Sequence, residues 1–242
     1  MIKRAIGMIL AVFPLLAQAQ VQIQAPDNDA IEIAVRDAGS IRYYPALMER
    51  YQRGDSLLGR EEYRHLYYGY MFAPGYDPYT TPPEADSMMM VILHEPGLSR
   101  DDYQRLIRYG NKVMETDPFN PRVLNLMTYA YGKTGDAENE RRSARRFDGV
   151  VSAILSSGEG HLEESPWHIL YFSHAEDVLD FLGAEYRQPI VVGWTTEYFP
   201  LVKREGRVRG YYFDYSRVYT RRPEQPDDPQ PRNWELNGIP LN

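Results

Sequence analysis

The residues with the clearest capacity for chemistry are histidines and glutamates grouped between residues 159 and 176. Imidazole nitrogens and carboxylate oxygens are zinc ligands, so this region has the side chains that a metal-assisted hydrolase needs. Their spacing matches no known ligand motif. His168 falls in an expected strand and His174 at the start of an expected helix, so the three histidines converge only if the loop between them folds back. We therefore assign no metal ligand and keep a metal-assisted hydrolase using the Glu159–Glu176 region as the alternative function. The side chains concerned are His161, His168, His174, Glu159, Glu163, Glu164 and Glu176.

Nucleophilic and phosphate chemistry have little support. The sequence contains no cysteine, no nucleophile elbow and no clear Ser-His-Asp order. The turn Ser156–Gly160, SSGEG, follows an expected helix end and lacks a lysine. A phosphate-binding loop instead precedes a helix, and its nucleotide-binding form carries a lysine. We assign no catalytic residue and no cofactor.

Tyrosine is the strongest compositional signal, since nine of the 20 tyrosines fall between Tyr43 and Tyr79. Such rings can stack on sugars or hold an extended peptide. Their helical spacing also indicates burial in a core, and both interpretations stay open. The candidate ligand-binding residues are Tyr67, Tyr68, Tyr70, Tyr76, Tyr79, Ser157 and Glu159.

The tyrosine helix carries aromatic residues on two faces and therefore needs cover on both. We expect the segment Tyr67–Tyr70, YYGY, and the loop Tyr76–Tyr79, YDPY, to contact the turn Ser157–Gly160. Such an arrangement would place tyrosine rings along a cleft beside Glu159.

The first 19 residues have the organisation of an export signal. Lys3 and Arg4 precede an apolar run over residues 5–16, and Ala17-Gln18-Ala19 supplies small residues for cleavage. The run is too short to span a bilayer, and no later segment approaches the roughly 20 apolar residues of a membrane helix. We expect cleavage near Ala19 and a soluble protein in the periplasm or outside the cell.

The net charge limits the kinds of partner, and the lack of cysteine limits how the fold can be stabilised. Without Lys3 and Arg4 the formal net charge of −7 becomes −9, which argues against nucleic acid as a partner. Because no cysteine is present, no disulfide can form even in an oxidising compartment. Packing alone must stabilise the fold.

Residues 28–157 carry the signals of a helical region. The central helix begins at Asn120 and Pro121, a capping residue followed by a proline at the first helical position, and Gly135 ends it. Ser99 and Asp102 form a capping box for the preceding helix. Further helices are expected at 31–38, 44–53, 61–72 and from Asp136 onward, with an ordered loop at 73–83. In the last helix Arg141, Arg142, Arg145 and Arg146 are interpreted as a solvent face paired with Glu138 and Glu140.

The pattern changes in residues 158–220. Strands are expected at 167–172, 190–199 and 207–215, and a helix at 175–182. A turn at Glu205-Gly206 makes the second and third strands antiparallel. We expect one α+β domain over 20–220, mainly helical, closed by a small and mostly antiparallel three-stranded sheet, and a disordered proline-rich tail over 221–242.

Two resemblances follow from these segments. The three helices of Ser99–Leu155 resemble tetratricopeptide-type helical hairpins. GDSLLGREEYRHLYYGY, YDPY, DPFNP, SSGEG and GYYFDY are similar to the domain-of-unknown-function family 4919, secreted proteins found mainly in Bacteroidota. That resemblance implies export and a shared fold, and it implies no reaction. The sequence therefore favours a non-enzymatic binding or interaction module of the cell envelope, with a peptide, protein or glycan as ligand.

Overall fold

The computed structural model describes residues 23–94, 97–221, 235–236 and 239–240. The expected signal peptide, residues 1–19, lies outside these residues, as does most of the expected disordered tail. Within that tail, β5 (Glu235–Leu236) pairs with β6 (Ile239–Pro240). The rest of the described chain folds into a mainly helical α+β structure.

Local capping signals decide where the first helices begin and end. The Asp27 side chain accepts from the backbone N–H of Ala30 and starts α1 (Asn28–Arg36). Gly54, with a left-handed φ of 74°, ends α2 (Tyr44–Arg53), where a residue without Cβ is favoured. The tyrosine helix α3 (Arg60–Gly69) tightens into a 3-10 turn over Tyr70–Phe72. These three helices correspond to segments expected from the sequence.

One helix was not expected: α4 (Pro83–His94) follows the proline-rich loop directly. Pro83 is its first residue, and Glu84 and Asp86 in its first turn suit the positive end of the helix dipole. The cluster of prolines before it concealed this start. Met88 and Val91 of α4 pack in a core cluster with residues of α5 (Arg100–Thr116).

The next helices begin at the capping residues that the sequence indicates. Ser99 and Asp102 form a reciprocal capping box on α5, Asn120 caps α6 (Pro121–Thr134), and Asp136 caps α7 (Ala137–Leu155). α6 packs against α5, α7 and α8 (Ser173–Leu182), which supports its central position. Its Tyr129 is 50% exposed, so one side of the helix nevertheless faces solvent.

The sheet differs from the expected three antiparallel strands. It has four strands in the order β1–β4–β3–β2, and β1 (Trp167–His168) runs parallel to β4 (Val208–Asp214). The segment 190–199 is split, because Val192 N–H donates to the Thr196 carbonyl and turns the chain back on itself. β2 (Ile190–Val191) and β3 (Thr196–Glu205) are therefore antiparallel neighbours. β1 pairs over only two residues, and α8 follows from Ser173.

The main core lies where α3, α7 and the sheet meet. It contains the fully buried rings of Tyr51, Tyr67, Tyr68, Phe119 and Phe213. A short helix, α9 (Ser216–Tyr219), follows β4 and covers one end of this core through Val218. In the described part of the chain, no helix is long and apolar enough to cross a membrane.

Candidate functional site

The structure separates the five candidate tyrosines into two groups. Four of them are buried in the main core and are each exposed by 6% or less: Tyr67, Tyr68, Tyr70 and Tyr76. Tyr79 is 39% exposed. Of the five rings, Tyr79 is thus the one that a ligand can reach without a change in packing.

Tyr68 joins α3 to the turn Ser157–Gly160 through the backbone of His168, whereas the Tyr76 hydroxyl of the YDPY loop donates to the Leu170 carbonyl instead of the turn. The Tyr68 hydroxyl donates to the His168 carbonyl at 3.0 Å, and Ser157 Oγ accepts from the His168 N–H at 2.8 Å. Burial raises the pKa of Tyr68 to about 12, so the hydroxyl stays protonated at neutral pH. Tyr68 and Ser157 are both fully enclosed, so they meet inside the core, whereas Glu159 is exposed and lies 3.5 Å from His161.

A buried polar cluster lies on the other side of the tyrosine layer. His174 is completely buried, with its Nδ1 2.8 Å from the Tyr67 hydroxyl and its Nε2 3.5 Å from Asp117 Oδ2. Asp117 is the residue that ends α5, in the DPFNP connection. His174 and Asp177 lie three residues apart within the first two turns of α8, so both side chains lie on one face of the helix.

The charges of this cluster are only partly compensated. Asp177 Oδ1 lies 2.8 Å from Arg122 Nε, but burial raises the pKa of Asp177 to about 6. Asp117 Oδ2 accepts from the Asn120 side-chain amide at 2.8 Å. Asp117 Oδ1 is buried and has no hydrogen-bond partner among the described residues. An unpaired buried carboxylate oxygen is energetically costly, so this atom is a candidate ligand contact.

Two adjoining pockets open above this cluster, each of about 190 Å³. They share Thr81, Ala85, Asn120 and Ser173, and together we call them the α6–α8 groove. Asp117 lines the first pocket and Asp177 the second. The groove therefore lies between residues 78–89 on one side and the beginnings of α6 and α8 on the other.

Two half-exposed aromatic rings form a wall of the first pocket. Tyr79 and Phe172 are 39% and 41% exposed, and their ring centroids lie 6.2 Å apart in an edge-to-face arrangement. Beneath them Tyr171 lines the same pocket and packs against Tyr76 at 5.6 Å and His174 at 5.0 Å. The groove thus combines accessible aromatic surface with buried acid, the usual composition of a small-ligand pocket.

The buried tyrosines hold the walls of this groove in place. The Tyr70 hydroxyl donates to the Thr116 carbonyl at 2.8 Å, next to Asp117. The Tyr76 hydroxyl donates to the Leu170 carbonyl at 2.7 Å, next to Tyr171. These bonds tie the α3 region to the end of α5 and to the start of α8.

Sequence reasoning did not find the groove residues other than Tyr79. Asp117 and Phe172 are 55 positions apart, and neither belongs to a spacing motif. The one available signal was the pair His174 and Asp177, on one face at a helix start. The three histidines contact different partners: His161 lies beside Glu159, His168 beside Asp214, and His174 beside Tyr67. Within the described residues, no three His, Cys, Asp or Glu side chains are grouped to hold a metal ion.

Comparisons with known proteins identify the family. No curated protein and no solved structure matches the chain significantly. The family described as Domain of unknown function (DUF4919) matches residues 29–223, which include α1 from its second residue, α2 to α9 and the whole α6–α8 groove. The match covers most of the chain, which therefore belongs to the DUF4919 family.

Proposed function

We propose that this protein is a non-enzymatic binding module of the cell envelope, and that its peptide, protein or glycan ligand occupies the α6–α8 groove. The observation that carries the proposal is the pair Tyr79 and Phe172, two half-exposed rings beside a pocket with a buried acid. Aromatic rings of this kind supply contact area at little entropic cost, and the neighbouring polar groups supply orientation.

In this proposal the candidate tyrosines have two roles. Tyr79 contacts the ligand, and the buried rings of Tyr67, Tyr70 and Tyr76 position the groove through the hydrogen bonds that they make. Tyr68 and Ser157 support the same layer from the side of α7. Glu159 is exposed and pairs with His161, so it has no assigned contact with the groove.

The location in the envelope is supported by the sequence alone. Residues 1–19 have the charge, apolar run and small residues of an export signal. The tetratricopeptide-like character of α5 to α7 is supported by their capped, consecutive packing. Helical hairpins of that type are frequent scaffolds for binding surfaces.

Binding is tested with peptide and glycan arrays probed by the chain beginning at Gln20. The double variant Tyr79→Ala, Phe172→Ala removes both accessible rings, and we expect it to lose the array signals at least about tenfold. Tyr129→Ala is the control, because Tyr129 is 50% exposed and lines neither pocket of the α6–α8 groove. We expect Tyr129→Ala to leave the signals unchanged.

The melting temperature of each variant is measured beside its array signals, so that loss of binding is distinguished from loss of folding. Loss of the array signals in the double variant at an unchanged melting temperature supports the groove as the binding site. Equal signals from the double variant and the parent chain would overturn the proposal. The alternative, a metal-assisted hydrolase using the Glu159–Glu176 region, has no specific arrangement in its favour, since its three histidines contact separate partners.

A further inference from the structure

The α6–α8 groove is more acidic than its one base can balance. Among the described residues that line it, the acids are Asp86, Asp117 and Asp177, and the base is Arg122. Arg122 already lies 2.8 Å from Asp177, 3.4 Å from Asp180 and 4.0 Å from Glu176. Its charge is therefore shared among carboxylates of α8, and it does not pair with Asp117.

Asp117 and Asp177 both carry buried oxygens without a hydrogen-bond partner among the described residues, but Asp177 lies beside Arg122 and Asp117 does not. Asp117 is 4% exposed, it lines the pocket that contains Tyr79 and Phe172, and its Oδ1 has no hydrogen-bond partner among the described residues. Its Oδ2 accepts from Asn120 and lies 3.5 Å from His174 Nε2. Oδ1 is itself enclosed, so a positively charged donor in the pocket reaches it once the carboxylate turns towards the pocket, and then forms a charge-assisted hydrogen bond.

Two helices begin at the groove, and their dipoles act in the opposite sense, because a helix N-terminus favours an anion. The start of α6 is already capped by the Asn120 side chain, which accepts from the Val123 N–H at 2.9 Å. The first turns of α8 carry Glu176 and Asp177, whose negative charge offsets its dipole. About half an elementary charge at each helix end is outweighed by the carboxylates present.

We propose that the ligand of this groove presents a primary ammonium group, such as a lysine side chain, which Asp117 binds beside the touching rings of Tyr79 and Phe172. This inference rests on the proposed binding function and specifies its ligand. An exposed aromatic face beside the ammonium group adds a cation–π contribution, which favours an ammonium over a neutral group of the same shape. Ligands with a free amine are therefore selected over their acylated forms.

The test compares two probes that differ in one charge. Ac-Gly-Lys-Gly-amide and its Nε-acetyl-lysine counterpart are titrated into the chain beginning at Gln20, and binding is followed by NMR. We expect the free lysine peptide to bind at least about tenfold more tightly, the ratio that a difference of about 1.4 kcal/mol produces. We expect its affinity to fall as salt is added, since the contact is ionic.

Variants then place the contact. Asp117→Asn keeps the shape of the side chain and removes its charge, and we expect it to weaken the lysine peptide about tenfold. Asp101→Asn is the matched control, because Asp101 is an exposed acid at the other end of α5 and its loss changes net charge equally. We expect Asp101→Asn to bind like the parent chain.

The possible results separate the two proposals. Equal affinity for both peptides, or no binding of either at millimolar concentration, overturns the ammonium inference even if Asp117→Asn does not fold. If the array signals nevertheless depend on Tyr79 and Phe172, the binding function stands with a neutral or anionic ligand. If the array signals do not depend on Tyr79 and Phe172 while the lysine peptide still binds through Asp117, the proposed role of the two rings is overturned and the ammonium contact of Asp117 stands.

Discussion

At the residue scale, buried tyrosines link helices to the sheet by packing and by the hydrogen bonds of their hydroxyl groups. Tyr68 is enclosed by the guanidinium groups of Arg64 and Arg217, which lie 5.7 Å and 5.4 Å from its ring centroid. Its hydroxyl reaches the His168 carbonyl in β1, so one side chain links α3 to the sheet. A tyrosine in such a site stabilises the protein by both packing and hydrogen bonding.

Replacing Tyr68 therefore tests whether this ring is structural. We expect Tyr68→Ala to lower the free energy of unfolding by about 3–5 kcal/mol, since it leaves a large cavity beside two buried guanidinium groups. Tyr129→Ala, at a half-exposed position that loses one edge-to-face contact with Tyr103, should change it by about 1.5 kcal/mol or less. Urea denaturation measures both. A Tyr68→Ala protein as stable as Tyr129→Ala would contradict the structural role.

Asp177 gives a pH dependence whose sign follows from its raised pKa. Its folded pKa of about 6 lies above the ordinary value of 3.8, because burial disfavours the carboxylate. The folded state therefore binds the proton more tightly than the unfolded state. The stability contributed by the neutral acid is present below pH 3.8 and is lost as pH rises towards about 6.

Asp177→Asn should remove that pH dependence. As the pH rises from 4 to 6, we expect the free energy of unfolding of the parent chain to fall relative to that of the variant by on the order of 1–3 kcal/mol. Denaturation at several pH values measures this, with Asp180→Asn as the control, because Asp180 is an exposed acid on the same helix. A difference between Asp177→Asn and the parent chain that does not change with pH would contradict the assignment.

At the element scale, helix ends are stabilised by groups that are distant in the sequence. The guanidinium group of Arg146 in α7 caps the end of α2. It donates to the Tyr51 carbonyl at 3.1 Å and to the Gln52 carbonyl at 2.7 Å. The same guanidinium lies 4.7 Å from the Tyr51 ring centroid. The interpretation of this arginine as a solvent-facing partner of glutamate is therefore wrong, although Arg142 does pair with Glu138 at 3.0 Å.

Arg146→Ala should destabilise the packing of α2 on α7. Its loss leaves the last carbonyls of α2 without a charged donor, and we expect a decrease of about 1.5–3 kcal/mol in the free energy of unfolding. Arg141→Ala, an exposed position in the same helix, should change stability by about 0.5 kcal/mol or less. Thermal melts of both variants distinguish the two effects. Equal melting temperatures would refute the capping role.

The parts of the fold that the sequence predicted are those set by local chemistry. Asn120, Ser99 and Gly54 each satisfy backbone groups within a few residues, so their helix boundaries are visible in the sequence. The parallel pairing of His168 with Asp214 joins residues 46 positions apart, and no local pattern specifies it. The groove was missed for the same reason, because Asp117, Phe172 and Tyr79 converge only in the folded chain.

At the scale of the whole molecule, the segment before α1 joins separate parts of the fold. The Gln24 carbonyl accepts from Arg64 of α3 at 2.9 Å, and the Pro26 carbonyl accepts from Arg217 of α9 at 2.9 Å. The Gln24 N–H donates to Ser156 at the end of α7. An export signal cleaved near Ala19 would leave this segment intact.

Truncation tests that joining role. A chain beginning at Asn28 loses the acceptors of two buried guanidinium groups and the Asp27 cap of α1. We expect it to be less stable than a chain beginning at Gln20 by about 3 kcal/mol or more. Chemical denaturation of the two chains measures the difference. Equal stability would show that residues 20–27 do not contribute to the fold.

An NMR map of the bound complex tests directly whether the ligand occupies the α6–α8 groove. The strongest-binding compound from the arrays is titrated into the labelled chain beginning at Gln20. We expect the largest amide shifts at Thr80, Asn120 and Ser173, which line the groove. Shifts concentrated instead at the exposed 190–194 turn, with the groove amides unchanged, would contradict this placement of the ligand.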